Sequence, residues 1–180
     1  INGKAQSITV GYTESTRGCK HICRHCPVVN VYNGRFFVVQ PDVVMEDIRQ
    51  QVDAGAKHIT FGDPDFFNGP GHAFKLVKTF HEEFPDLTYD VTIKVEHLLA
   101  HREKLSLMTE TGCIFVTTAV EEVDNEVLCK LEKSHTRVDF EEVVNVTHTA
   151  GLTLSPTFIP FHPWTTTFGF VDLLSMISEL

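Results

Sequence analysis

The chain has 180 residues, a formal net charge of −9, 42% hydrophobic residues and 22% charged residues. That length suits one well-buried core rather than two, and the acidity speaks against nucleic-acid phosphates as partners of this piece, because such binding needs clustered Lys and Arg. No apolar run approaches the roughly 20 residues of a bilayer span, and no charged-then-apolar signal segment is visible, so no membrane partner is expected.

Along the chain, the first strand is expected over Ser7–Thr13, rich in β-branched residues and bounded by polar ones. Directly after it come Cys19, Cys23 and Cys26, a C-x3-C-x2-C triplet within Arg17–Pro27. Asp42 can cap a helix that places Val43, Val44, Ile48 and Val52 on one side. A strand over His58–Gly62 leads into Gly62-Asp63-Pro64, and a helix follows with Phe74, Val77, Phe80 and Phe84 on one face. The third strand is expected over Thr88–Val95, then a helix carrying Leu98, Leu99, Leu105 and Met108. The fourth and fifth strands are expected over Cys113–Ala119 and Leu152–Ile159. Gly55, Gly112 and Gly151 each stand between a helix and the next strand, where a left-handed residue ends a helix.

This β-α-β order with short connections predicts parallel strands joined by right-handed helical crossovers. Five strands fall short of eight, so the expected fold is an α/β, partial (β/α) TIM-like barrel. The chain opens on Ile1 and ends in a helical pattern, Phe170–Leu180. Residues 1–180 are therefore expected to be one core domain, a fragment whose C-terminal part is missing.

Five cysteines, three of them crowded, favour metal binding over disulfides. Clustered free thiols favour a reducing compartment, and the cytoplasm is the expected location. In β/α folds the loops at the carboxyl ends of strands build the site, and the triplet lies on such a loop. Arg17, Lys20 and Arg24 place positive charge beside the thiols and favour the thiolate. Three thiolates are one short of a four-iron cluster or a tetrahedral zinc site. Zinc with His21 or His25 as the fourth ligand, in a structural module without catalysis, is one reading; an iron left open to a small molecule is the other. Cys113 and Cys129 are expected to be small buried hydrophobes. His72, His81, His101 and His148 read as surface residues on helices.

The triplet, set in a glycine-preceded loop after the first strand of a β/α array, resembles that of the radical S-adenosylmethionine (SAM) superfamily. The resemblance implies a [4Fe–4S] cluster held by Cys19, Cys23 and Cys26, with SAM on the fourth iron. It also implies reductive cleavage to a 5′-deoxyadenosyl radical and a core of six β/α units, of which five are present. Gly62, Asp63 and Pro64 stand where the family has Gly-Glu-Pro, which receives the SAM amino group. Glu121 matches a ribose-binding Glu, and His25 stands where an aromatic residue lies against adenine. Lys94 and Arg137 are candidates for the SAM carboxylate. Phe161 and Trp164 replace family glycines and read as pocket walls or as core, whereas Glu122 reads as solvated. The resemblance further implies a reductant such as ferredoxin or flavodoxin and leaves the substrate unknown. The wording around Gly62–Phe67 looks most like an uncharacterised subgroup whose members carry a Cys/selenocysteine-containing tail.

Overall fold

The computed structural model describes residues 8–179. Ser7, at the start of the first expected strand, and Leu180 lie outside the described residues.

Five parallel strands form the central sheet: β1 (Val10–Thr13), β4 (His58–Phe61), β5 (Thr88–Thr92), β6 (Cys113–Glu121) and β7 (Thr153–Phe158), hydrogen-bonded in that spatial order. Sequential β/α crossovers generate this order, as expected for a partial TIM-like barrel. Gly55, Gly112 and Gly151 have φ of +97°, +96° and +73°, so each ends its helix in the left-handed region, as the sequence pattern requires. At Gly112 a side chain would also meet the Leu87 carbonyl at 2.9 Å.

The core lies between this sheet and the crossover helices. Ile59 and Phe61 of β4, Tyr89 and Val91 of β5 and Val116 of β6 are all at most 1% exposed. Val44, Met45 and Ile48 of α2 (Pro41–Asp53) and Leu76, Val77 and Phe80 of α3 (Pro70–Glu83) belong to the same core. Phe61, Phe80 and Tyr89 meet edge to face at centroid distances of 5.4–6.2 Å, the geometry that ring quadrupoles favour. Phe140 and Val143 of α7 (Arg137–Thr149) extend the core towards β7.

Several boundaries differ from the sequence reading. Gln40 caps α2, Pro41 takes the first helical position that its fixed φ suits, and Asp42 falls in the first turn rather than at the cap. β5 stops at Thr92, and Val95 opens the short helix α4 (Val95–Ala100) instead of closing a strand. His101 (φ −120°, ψ 23°) then breaks the expected single helix, leaving a 3-10 turn at Arg102–Lys104 and α5 (Leu105–Glu110). β6 runs two residues beyond its expected end, to Glu121.

The sequence reading also missed an antiparallel pair, β2 (Thr16–Gly18) with β3 (Phe36–Val38), and the helix α1 (Pro27–Tyr32) between them. Strands of three residues leave too little alternation to detect. Their pairing closes the base of the cysteine loop, which is thereby held as an insertion within a hairpin. After β6 come α6 (Asn125–Lys130), α7, β7 and α8 (Thr167–Glu179).

Candidate metal and cofactor site

The cysteine loop leaves β1 at its carboxyl end and is tied to the carboxyl ends of β4, β5 and β6. Gly18, at φ +86°, opens it; a Cβ there would lie 2.5 Å from the Arg35 carbonyl and 2.7 Å from the Tyr32 ring. Asn68 holds the next turn, donating to the Gly18 carbonyl at 3.1 Å and accepting from the Lys20 amide at 3.1 Å. The Cys26 amide donates to the Cys23 carbonyl at 3.1 Å, and Cys26 caps α1. Cys19 and Cys23 are buried, Cys26 is half-buried, and none is in a disulfide.

Asp63 follows β4 and is 2% exposed. Its carboxylate accepts from the Ser15 amide (2.9 Å), the Ser15 hydroxyl (2.7 Å) and the Thr16 hydroxyl (2.6 Å). Burial raises its pKa while these bonds oppose the shift. The side chain expected to meet a SAM amino group thus anchors the hairpin that carries the cysteines.

Lys94, just beyond β5, is 6% exposed. Its Nζ lies 3.7 Å from Cys23 Sγ and 2.7 Å from Glu96 Oε1. Burial opposes its charge, but Glu96, Cys23 and Asp65 outweigh burial and raise its pKa. Burial likewise opposes the Glu96 charge, and His135 and Lys94 beside it hold this carboxyl well below the usual range. Desolvation is the largest influence on Cys19, raising its thiol pKa, with Asp65 and Cys23 adding to it. Burial and then Lys94 lower the pKa of His21 to about 4.

Glu121 ends β6 with φ +72°, a left-handed conformation uncommon for a residue with a Cβ. The register of β6 on β7 shifts between Ala119 and Glu121, so a bulge re-aims the side chain. Its Oε1 lies 3.1 Å from His25 Nε2 and 3.4 Å from Lys133 Nζ, and Lys133 also donates to the Ala119 carbonyl at 2.7 Å. His25 therefore joins the cysteine loop to the end of β6.

The other residues singled out in the sequence lie as follows. Arg137 is paired with Asp172 (2.7 Å) and Glu141 (3.2 Å). Glu122 is not solvated: it is 5% exposed and lies 2.8 Å from His162 Nε2. Phe161 is 73% exposed, stacked on Phe170, so it is not core. Trp164 is also exposed, with Lys130 over its ring. Cys113 is buried at the far end of β6, as expected, whereas Cys129 is exposed on α6. His148 is exposed, but His72, His81 and His101 are half-buried, the His101 ring lying edge-on to Phe67 and Phe74.

The donor set suits a four-iron cluster with one open iron. Three free thiols share one loop, and the other two cysteines lie elsewhere. The imidazoles proposed as fourth zinc ligands are turned to other groups: His25 Nε2 to Glu121, and both His21 nitrogens to carboxylates, at 3.6 Å from Glu96 and 3.9 Å from Asp65.

A hopanoid C-3 methylase from Methylococcus capsulatus is 24% identical over 151 residues, 84% of this chain and 29% of that protein. The chain thus spans about 29% of the length of the curated relative it matches. The radical SAM methyltransferase TsrM from Kitasatospora setae, solved with cobalamin and a [4Fe–4S] cluster, has a TM-score of 0.81 at 18% identity, over 94% of this chain and 32% of that one. The radical SAM enzyme coproporphyrinogen III oxidase (HemN) from Escherichia coli aligns with a TM-score of 0.69 at 14% identity, over 94% of this chain and 41% of that one. These two share the fold. The family model of the radical SAM superfamily, whose enzymes bind a [4Fe–4S] cluster and SAM, matches residues 13–174, and the chain belongs to that superfamily.

Proposed function

We propose that this chain is the core of a radical SAM enzyme in which Cys19, Cys23 and Cys26 hold three irons and the carboxyl ends of β4, β5 and β6 hold SAM. The observation that carries the reading is the convergence on one loop of Lys94 from β5 and Glu121 from β6, each through a direct contact (3.7 Å to Cys23 and 3.1 Å to His25). When bound, the cluster and SAM supply a 5′-deoxyadenosyl radical that abstracts a hydrogen atom from substrate.

The chain's own residues do the rest. Lys94 places a buried positive charge beside the Cys23 sulfur, 3.7 Å away. Glu121, steered by the bulge and held by His25 and Lys133, offers carboxylate oxygens to a pair of sugar hydroxyls. Asp63 fixes the hairpin, so the three sulfurs keep their spacing when the loop is loaded. The Gly62 and Pro64 backbone accepts from the SAM amino group. Arg137 is paired with Asp172 at 2.7 Å, so Lys94 is the stronger candidate for the SAM carboxylate. Electrons come from a small reductant of the ferredoxin or flavodoxin kind. The net charge of −9 favours a peptide or small metabolite over a nucleic acid as substrate.

The test is anaerobic reconstitution with iron and sulfide, addition of SAM and a reductant, and quantitation of 5′-deoxyadenosine. Cluster-dependent cleavage is expected, and Cys23→Ala should abolish both the cluster absorption and the product. Cleavage retained by that variant would overturn the assignment.

A further inference from the structure

Beneath the cysteine loop lies a group of side chains that the proposed chemistry does not use. His21 comes from the loop itself, Asp65 from the segment after β4 and His97 from α4. One nitrogen or oxygen atom from each lies within 4.8 Å of the other two. His97 Nδ1 is 2.6 Å from Asp65 Oδ2, His21 Nε2 is 3.9 Å from the same oxygen, and the two rings lie 5.0 Å apart, tilted by 59°. Asp65 is fully buried and His97 is 8% exposed. Asp65 Oδ1 accepts from the Phe67 amide at 3.2 Å. By contrast, Asp65 Oδ2, His21 Nε2 and His97 Nδ1 are all buried without a well-formed hydrogen bond.

Three buried polar atoms without a well-aligned hydrogen bond are costly, since their lost hydration is only partly replaced. Here the three face one another, and together they are two imidazole nitrogens and a carboxylate oxygen. Such a donor set suits a borderline divalent cation, with nitrogen ligands at about 2.0–2.1 Å and a carboxylate oxygen at about 2.0–2.2 Å. The surroundings supply the outer layer that metal-bound histidines require. His21 Nδ1, its other nitrogen, faces Glu96 Oε1 at 3.6 Å, and Glu96 is in turn fixed by Lys94 at 2.7 Å. A dication would also suit the buried Asp65 carboxyl, whose Oδ2 faces only the two imidazoles, His97 at 2.6 Å and His21 at 3.9 Å, among the described ion-pair contacts.

We propose that His21, Asp65 and His97 bind a single divalent metal ion, of the zinc or iron(II) class, at a second site distinct from the cysteine triplet. The ion ties the cysteine loop to the segment after β4 and to α4, and the site stands whether or not the triplet carries a cluster.

The test separates the two sites by their donors. The chain with Cys19, Cys23 and Cys26 all replaced by Ser is stripped of metal, equilibrated with zinc, desalted and assayed by elemental analysis, with circular dichroism as the check of folding. About one zinc per chain should remain, and Asp65→Asn or His97→Ala in that background should remove it. No zinc retained by the folded thiol-free chain, or zinc retained after both further substitutions, overturns the proposal. If the thiol-free chain does not fold, the native chain with its cluster reconstituted is assayed in the same way. One zinc beyond the cluster iron, lost on Asp65→Asn, then supports the site, and the absence of zinc or its indifference to Asp65→Asn overturns it.

Discussion

Glu121 holds a left-handed backbone conformation that costs a residue with a Cβ about 1 kcal/mol or more, and glycine would adopt it freely. A carboxylate kept where glycine would be more comfortable marks a residue retained for what its side chain does. Glu121→Gly is therefore expected to leave thermal stability unchanged or raise it by up to about 1 kcal/mol. The same variant should lose SAM affinity by about 10–100-fold, the worth of charge-assisted hydrogen bonds at about 1.5–3 kcal/mol. Denaturation curves and equilibrium binding of SAM to the cluster-loaded chain measure the two separately. A large loss of stability without loss of binding would make Glu121 a structural residue.

Cys113 illustrates the opposite role at the same scale. Burial, aided by the nearby Asp90 charge, pushes its thiol up to about 12 from an ordinary 9.0, while hydrogen bonding with the Phe115 backbone offsets a little of the rise. Because the folded-state pKa is the higher, the contribution to stability is complete below about pH 9 and is lost as pH rises towards 12. Unfolding midpoints followed from pH 8 upwards should fall less steeply in Cys113→Val than in the native chain, on the scale of about pH 9 to 12. Equal slopes would show that this thiol stays neutral in neither state's favour.

Among the elements, the hairpin β2–β3 matters most for the site and was the least legible in the sequence. Its strands have three residues each, and what holds them is Asp63, about 47 positions further along the chain. Asp63→Ala removes all three carboxylate bonds and strands the buried Ser15 and Thr16 donors, for a loss of about 3 kcal/mol. Hydrogen exchange should accelerate in residues 16–18 and 36–38 ahead of the central sheet, and iron retention should fall with it. Uniform acceleration through the sheet would contradict this local role. The longer elements were far more legible. α2, α3 and α7 each have 13 or 14 residues with an apolar face, and a left-handed glycine marks the end of α2 and of α7. The α4–α5 break at His101 escaped notice because no Gly or Pro marks it; packing of Leu98 and Leu105 into the core decides the turn.

At the scale of the whole molecule, β7 lies at one edge of the sheet, and α8 presents Phe168, Val171, Leu174 and Ile177 to solvent at 83%, 55%, 49% and 41% exposure. An apolar surface of this kind beside an unpaired strand edge favours association. The 180-residue chain by itself is expected to bind a hydrophobic dye and to self-associate with rising concentration. Phe168→Glu with Leu174→Lys should reduce both without lowering the unfolding midpoint by more than about 0.5 kcal/mol. Light scattering and dye titration report the change; an unaltered response would place the sticky surface elsewhere.

Sequence alone determined the β/α order, the helix-ending glycines and the cysteine triplet, because each is written in a few neighbouring residues and their local backbone preferences. The identity of the family followed from the same short segments. Only the tertiary structure decided which side chains meet. His25 reaches Glu121 across 96 positions and Lys94 reaches Cys23 across 71, while Asp63 turns inward to the hairpin and Arg137 outward to Asp172. The convergence of His21, Asp65 and His97 is of the same kind. Such contacts depend on strand register, on a single bulge and on the burial of charge, which arise when distant segments pack and leave no periodic trace in the chain.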